Sequence, residues 1–270
     1  MILYKYSPLN EGAKKILTEN TLKYTAPDQF NDPFDCLAYY DRDELENYFR
    51  QNYHSIGKSK NLAPAKRIEQ KHQRIHNALK NYDQGNFEKI FQDSKTGITC
   101  FTRCPKNILM WSHYADYHKG FVVGFECIPL EYTKTYTRQD VPPYDDWQQD
   151  LVCFQVKYSD DRPVRTLNKS TNSGKQVDFK SLSVFFTKAR QWEYEQEYRC
   201  ISYKKGAGIF RYKRELIREV IIGVKTKQDE IESIKGILSS IIEKTGSGIK
   251  LYQAYIKQGT YELGIRELQY

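Results

Sequence analysis

The sequence predicts an α+β fold, and three observations carry that prediction. Residues Gly97 to Glu126, GITCFTRCPKNILMWSHYADYHKGFVVGFE, pass from a hydrophobic period of about two residues to one near 3.6 and back, the pattern of strand, short helix, strand. Extended runs recur along the rest of the chain with a few helical patterns between them, unlike the regular alternation of a parallel βαβ array. A highly charged helical block, residues 41–95, reads as an insertion into a single domain spanning 1–270.

Taken in order, Leu3-Tyr4-Lys5-Tyr6 alternates as a first strand, and Asn10 is placed to cap a helix running to about Glu19. Thr21–Thr25 is a second extended run. It leads into APDQFNDPFDC, Ala26–Cys36, where prolines, aspartates and an asparagine favour turns and Phe30 and Phe34 are expected to anchor the loop. Such an anchored acidic loop either supports a site or merely crosses the surface. The charged block predicts about three helices, DELENYFRQNYH, APAKRIEQKHQRIHNALKNY and NFEKIFQDSK, the second started by Pro64. His72 and His76 share a face of it among Lys71, Gln73 and Arg74, so a solvated basic surface is expected there.

In the Gly97–Glu126 segment a helix this short needs packing from its neighbours, and Ser112, His113 and Tyr114 are expected to carry polar groups inward that require partners. Cys127–Trp147 reads as a surface loop and Leu151–Tyr158 as one strong strand. DDRPVRTLNKSTNSGK is a mobile stretch or a lid, and Val177–Arg190 a helix with Phe179, Leu182, Phe185 and Phe186 inward. Gln191–Tyr203, QWEYEQEYRCISY, is read as extended. That would line Glu193, Glu195, Glu197 and Arg199 along one face, a row of like charges that is costly unless the arginine or a ligand neutralises part of it. Glu219–Val224 is a buried strand, Asp229–Lys244 an amphipathic helix, and IKLYQAYI and YELGIREL two closing strands.

Composition narrows the function. The 42 Lys and Arg exceed the 34 Asp and Glu for a formal charge of +8, and 22 Tyr, 13 Phe and 3 Trp accompany them. Cations for phosphates and rings for bases make nucleic acid or a nucleotide the expected partner. The first residues lack the layout of a leader, and no run approaches the about 18 apolar residues of a membrane span, so a cytoplasmic protein with no membrane partner is expected. Six cysteines are too few for a disulfide scaffold. There is no P-loop, no G-x-G-x-x-G and no G-x-S-x-G elbow, which disfavours the enzymes that depend on them. Cys100, Cys104, His113 and His118 have gaps unlike those of a zinc finger, so no metal is assigned to them. A thiol nucleophile at Cys100 or Cys104 beside His113 has only sequence proximity behind it. What remains is a constellation of Tyr4, Tyr6, His113, Trp192, Glu195, Glu197 and Arg199, able to hold a nicotinamide ribose and to stabilise an oxocarbenium-like cation.

Three segments together, LYKYSPLN with TLKYTAPDQFNDPFDC, then GITCFTRCPKNILMWSHYADYHKGFVVGFE, then WEYEQEYR, resemble a bacterial family of unknown function, domain-of-unknown-function family 2971. The resemblance covers most of the chain outside the helical insertion and implies a family rather than a reaction. A weaker resemblance is to ADP-ribosyltransferases, whose Glu-x-Glu element Glu195-Gln196-Glu197 matches in form, although Tyr4-Lys5-Tyr6 stands where their first strand carries Arg or His. That resemblance implies a split, mostly antiparallel sheet and NAD as substrate. Glu197 would orient the ribose, Glu195 would activate the acceptor, and Tyr4, His113 and Trp192 would line the nicotinamide pocket. Tyr6, Trp111, Tyr114, Arg199, Phe30, Asn31 and Asp32 complete the expected cofactor-binding set. The leading expectation is an enzyme that ADP-ribosylates nucleic acid or protein, as a toxin or phage-defence effector. One alternative is a non-enzymatic nucleic-acid-binding or sensor protein with an immunity or defence-system partner protein. Another is a metal-dependent hydrolase or nuclease using Asp32, Asp35 and Glu197.

Overall fold

The computed structural model of the chain describes residues 1–52, 63–85, 96–134, 136, 141–143, 146–164, 180–202 and 205–270. The N-terminal half supplies strands β1 (Ile2–Ser7), β2 (Thr21–Tyr24), β3 (Gly97–Thr102), β4 (Phe121–Glu126) and β5 (Ile128–Leu130). After them come β6 (Val152–Gln155), β7 (Lys157–Ser159), β8 (Thr187–Ala189), β9 (Glu197–Ser202), β10 (Gly208–Arg211), β11 (Ile217–Ile222), β12 (Lys250–Ile256) and β13 (Leu263–Glu267). Nine of these form one sheet in the order β13-β12-β11-β4-β1-β3-β9-β6-β5, while β10 pairs with β2 and β7 with β8. The large sheet is mixed but mostly antiparallel, with parallel pairing of β11 to β12 and of β5 to β6. The expected α+β class with a mostly antiparallel sheet is therefore what the chain adopts.

The helices follow their sequence signals. In α1 (Glu11–Thr18), the Asn10 side chain accepts from Ala13 N at 2.8 Å, satisfying one of the donors a helix start leaves over. Asp41 does the same for α2 (Arg42–Gln51), and α3 (Pro64–Asp83) starts at a proline, which has no N–H to lose there. Leu45 and Phe49 of α2 pack with Ile75 and Leu79 of α3, and both helices lie in the predicted insertion. His72 and His76 are exposed on α3, as a solvated basic face requires. The third predicted helix, at residues 86–95, and the lid-like stretch at 165–175 lie outside the described residues. Two further helices are α4 (Ile108–Tyr114) and the short α5 (Trp147–Asp150). The last, α6 (Gln228–Thr245), buries Ile231, Ile234, Leu238 and Ile241 and stops at Gly246, whose φ of 67° suits a residue without Cβ.

Strand alternation splits the core in two. Leu3, Val123, Phe125, Val220, Ile222, Tyr198 and Cys200 face α1 and α6 on one side. On the other side, Tyr6, Val122 and Ile221 pack with Met110 and Trp111 of α4, while Ile98, Val152, Phe154 and Ile201 pack with the helical insertion. Between these two opposite-side clusters lie β1, β3 and β9. There β1 meets β3 at the register pair Tyr4–Thr102, whereas β1 pairs with β4 and β3 with β9 over six positions each. Further along β3, Ile98 is bridged by Thr25 instead. The position between them, Cys100, presents its carbonyl to Lys5 Nζ at 3.1 Å, and Tyr6 Oη donates to Cys104 O at 2.8 Å. Side chains thus cross a seam that a backbone ladder would otherwise close.

Several elements differ from expectation. Leu151–Tyr158 is two strands: Val156 N still bonds Glu197 O at 3.0 Å, but Lys157 N bonds Phe186 O at 2.8 Å, so the chain leaves the large sheet to pair with β8. The described part of Val177–Arg190 is a 3-10 turn, Lys180–Phe185, followed by β8 rather than a helix. The Cys127–Trp147 loop contains β5, the edge of the large sheet. Phe34 is 64% exposed and does not anchor its loop, whereas Phe30 does. Gln191–Tyr203 is not one extended run. Arg190–Glu195 is a 3-10 turn, Gln196 takes a left-handed φ of 46°, and only then does β9 begin. The row of carboxylates is broken, and exposed Glu193 is no part of it.

Candidate active site

A cleft of about 620 Å³ opens over the seam. It is walled by β1, by the loop after β2, by α4 and by the 3-10 turn before β9. The helix is fixed at its start. Asn107 accepts from Leu109 N and Met110 N at 2.9 and 3.2 Å, and donates to Tyr194 O at 2.9 Å, which ties α4 to the turn carrying Glu195. The inward residues of the helix are Met110 and Trp111, with Tyr114 on the cleft. Of the polar groups expected to point inward, His113 is exposed at the cleft rim, and Tyr114 finds its partner in Glu195.

The floor is an ion network that buries five charged groups. Arg199, with no exposed surface, gives Nη1 and Nη2 to the two oxygens of Asp35 at 2.8 and 2.7 Å. Its Nε and Nη2 go to Glu197 Oε1 and Oε2 at 2.7 and 3.1 Å, and Nη1 also reaches Phe185 O at 2.9 Å. Lys188 bonds Glu195 Oε2 at 2.5 Å and Glu197 Oε2 at 2.9 Å, lies 3.7 Å from Asp35 and stands over the Trp192 ring at 4.9 Å. Tyr114 Oη donates to Glu195 Oε1 at 2.7 Å. The buried set thus has three carboxyl groups against two cations.

The two glutamates are driven apart. Burial pushes Glu197 up, but Arg199 and Lys188 outweigh it and hold its carboxyl well below the usual range. Burial raises Glu195, aided by the neighbouring Glu197 charge and only partly offset by Lys188. Their bonding differs too. A carboxylate offers about four acceptor positions, and Glu197 fills three of them, with two bonds from Arg199 and one from Lys188. Glu195 uses two, for Tyr114 and Lys188, and keeps room for a ligand. A second pair is driven apart as well. Burial lowers Lys188, yet Glu197 and Glu195 lift it well above its ordinary value, while burial lowers Lys5 against weaker opposition from Cys100 and Glu197.

Of the residues expected from the sequence, Tyr4, Tyr6, Phe30, Asn31, His113, Tyr114, Trp192, Glu195 and Glu197 line this one cleft. Trp111, Arg199 and Asp32 do not. Trp111 is fully buried, with Nε1 on Pro105 O at 2.9 Å and its ring against Tyr6, because the short helix needs one large apolar anchor. Arg199 lies beneath the floor, and Asp32 spends Oδ1 on Phe34 N at 2.9 Å to close its own turn. Asp35 and Glu197 face Arg199 and Lys188, so with Asp32 they do not make a carboxylate cluster. No group of His, Cys, Asp and Glu suited to a metal occurs among the described residues, and His118 stacks on Trp111 instead of joining Cys100 and Cys104. Sequence reasoning missed Lys188 and Lys5. The signal for Lys188 was the uncompensated run of acids in WEYEQEYR, which needs a second buried cation.

Residues 110–200, from Met110 on α4 to Cys200 on β9, match the model of a family described as "Protein of unknown function (DUF2971)", the family that the sequence motifs resemble. The match takes in α4, Lys188 and the Glu195–Arg199 element, while the β1 wall and the FNDPFDC loop lie outside it. No curated protein and no solved structure matches the chain. Among the described residues no helix is long and apolar enough to cross a membrane.

Proposed function

We propose that the DUF2971 segment and strand β1 together form an ADP-ribosyltransferase-like site that binds NAD and breaks its nicotinamide–ribose bond. The observation that carries this reading is the Glu195 carboxylate, whose charge is paired by Lys188 alone and which keeps free acceptor positions at the floor of an aromatic-walled cleft. The pyridinium of NAD is a cation, and the ribose becomes oxocarbenium-like as nicotinamide leaves, so both would be favoured by that charge. Tyr4, Tyr6, Phe30 and Trp192 offer ring faces for the bases, with His113 at the rim.

The roles follow from the bonding. Glu195 stabilises the developing cation and then takes the acceptor's proton, with Tyr114 orienting its carboxylate. Glu197, held by two bonds from Arg199 and one from Lys188, acts through Lys188 as a positioning residue rather than by touching ribose. Nucleic acid is favoured as acceptor by α3, where Lys66, Arg67, His72 and His76 are exposed. The same face fits the alternative of a non-enzymatic nucleic-acid-binding protein, which predicts salt-dependent binding without NAD consumption.

Thermal-shift titration with NAD, together with an assay for released nicotinamide, tests the reading. NAD at 100 times its dissociation constant should stabilise the fold by about 2.7 kcal/mol. Glu195→Gln should keep that shift and lose turnover by about 10²-fold or more. Absence of both shift and nicotinamide release in the wild type, or equal turnover by the variant, overturns it.

A further inference from the structure

We propose that Lys5 is a nucleophilic amine that forms an imine with the C1 aldehyde of an open-chain ribose bound in the cleft. Lys5 stands on β1 at the seam, and its side chain lines the same cavity as Glu195. Its Nζ donates to one acceptor, the Cys100 carbonyl at 3.1 Å, and lies over the Phe101 ring at 5.7 Å. Among the described residues no carboxylate comes within 4.0 Å of it, whereas Lys188, on the same cleft, has three that close. An ammonium carries three donors, and this setting supplies one carbonyl. A neutral amine bonded to that carbonyl keeps a lone pair for the cleft. The depressed basicity that burial gives Lys5 agrees with the geometry. One cleft therefore holds a lysine ringed by carboxylates and a lysine with none that close, the separation of like groups by environment that marks acid–base sites.

The amine nitrogen adds to the aldehyde carbon and the carbonyl oxygen takes a proton to give the carbinolamine. Its hydroxyl leaves as water after a further protonation from solvent, and the nitrogen gives up its remaining excess proton as the C=N bond forms. No oxidant or reductant is consumed. The identity of the sugar rests on the ribosyl reading of the cleft, while the reactivity of the amine does not.

The test is reductive trapping on the full chain with ribose 5-phosphate and cyanoborohydride, whose hydride adds to the imine carbon and fixes it as a secondary amine, followed by peptide mapping by mass spectrometry. Lys5 should carry about tenfold or more adduct than any exposed lysine. Lys5→Met should lose that adduct. Label spread over surface lysines without enrichment at Lys5 overturns the proposal, and the wild-type map alone decides this if the variant fails to fold. Trapping at Lys5 without any response to NAD would leave the amine standing and remove the NAD reading. NAD turnover with no trapping would do the reverse.

Discussion

Arg199 and Asp35, 164 residues apart in the chain, meet through two parallel hydrogen bonds of 2.8 and 2.7 Å, the arginine fully buried and the aspartate at the inner wall of the cleft. The guanidinium fork matches a carboxylate in this geometry and fixes both partners in direction as well as distance. Asp35 ends the loop whose Phe30 and Asn31 line the cleft, and Arg199 lies two residues beyond Glu197 on β9. The pair therefore fastens one wall of the cleft to its floor.

Removing the arginine leaves Asp35 and Glu197 buried with Lys188 as their remaining cation. Arg199→Met should cost about 3–5 kcal/mol in urea unfolding, the range for breaking a buried ion pair from one side. The double variant with Asp35→Asn should cost less than the sum of the two single variants, because the second change relieves an orphaned charge. Wild-type stability in Arg199→Met would refute this account of the floor.

Acid should unfold the protein partly through Glu197. Its folded pKa is depressed, so its ion pairs contribute stability that is fully present above the unfolded value, near 4.5, and is lost as pH falls through the lower folded value. Glu195 has the opposite sign: its raised pKa makes the folded state the better proton binder, so its burial weighs on stability as pH rises above 4.5. In urea melts from pH 7 to pH 2, Glu197→Gln should be less stable at neutrality and have a shallower acid limb than the wild type. An acid limb of unchanged steepness would assign the acid response to other carboxylates.

Asn107 does two things that substitutions can separate. Asn107→Ala loses the cap of α4, worth about 1 kcal/mol, and also the bond to Tyr194 O. Asn107→Asp keeps the acceptor and loses only that donor. The aspartate variant should melt close to the wild type yet show a smaller NAD-induced shift, because the turn bearing Trp192 and Glu195 then keeps only the Tyr114–Glu195 bond to the helix. Equal ligand shifts in all three proteins would show that the tie does not shape the cleft.

The sequence made some parts of this molecule plain and hid others for identifiable reasons. Gly97–Glu126 was readable because two periods change sharply within it, and α6 because four apolar residues repeat on one face. The cap at Asn10 was readable because caps depend on one residue and its neighbours. The bend before β9 was not: Gln196 adopts a left-handed conformation that its side chain does not favour, so nothing local announces that Glu195 leaves the strand. Lys188 was hidden by aromatic spacing that looks helical in VDFKSLSVFFTKAR, whose described part from Lys180 on folds as a 3-10 turn and a three-residue strand. The aromatic and acidic members of the cleft could be guessed from residue type. Their closure by Asp35, Lys188 and Arg199 is a long-range arrangement with no local pattern behind it.

At the seam, the large sheet resembles two leaves of a book joined near Tyr4 and Thr102. One leaf runs from β1 through β4 and β11, the other from β3 through β9 and β6. Lys5 and Tyr6 are the rivets across the gap, each reaching from the first leaf to a carbonyl near the second, at Cys100 and Cys104. The width of the opening is thus set by the reach of two side chains that also line the floor. A shorter residue at either place would enlarge the space for a ligand and loosen the binding between the leaves in the same stroke, so ligand fit and stiffness cannot drift independently in this protein.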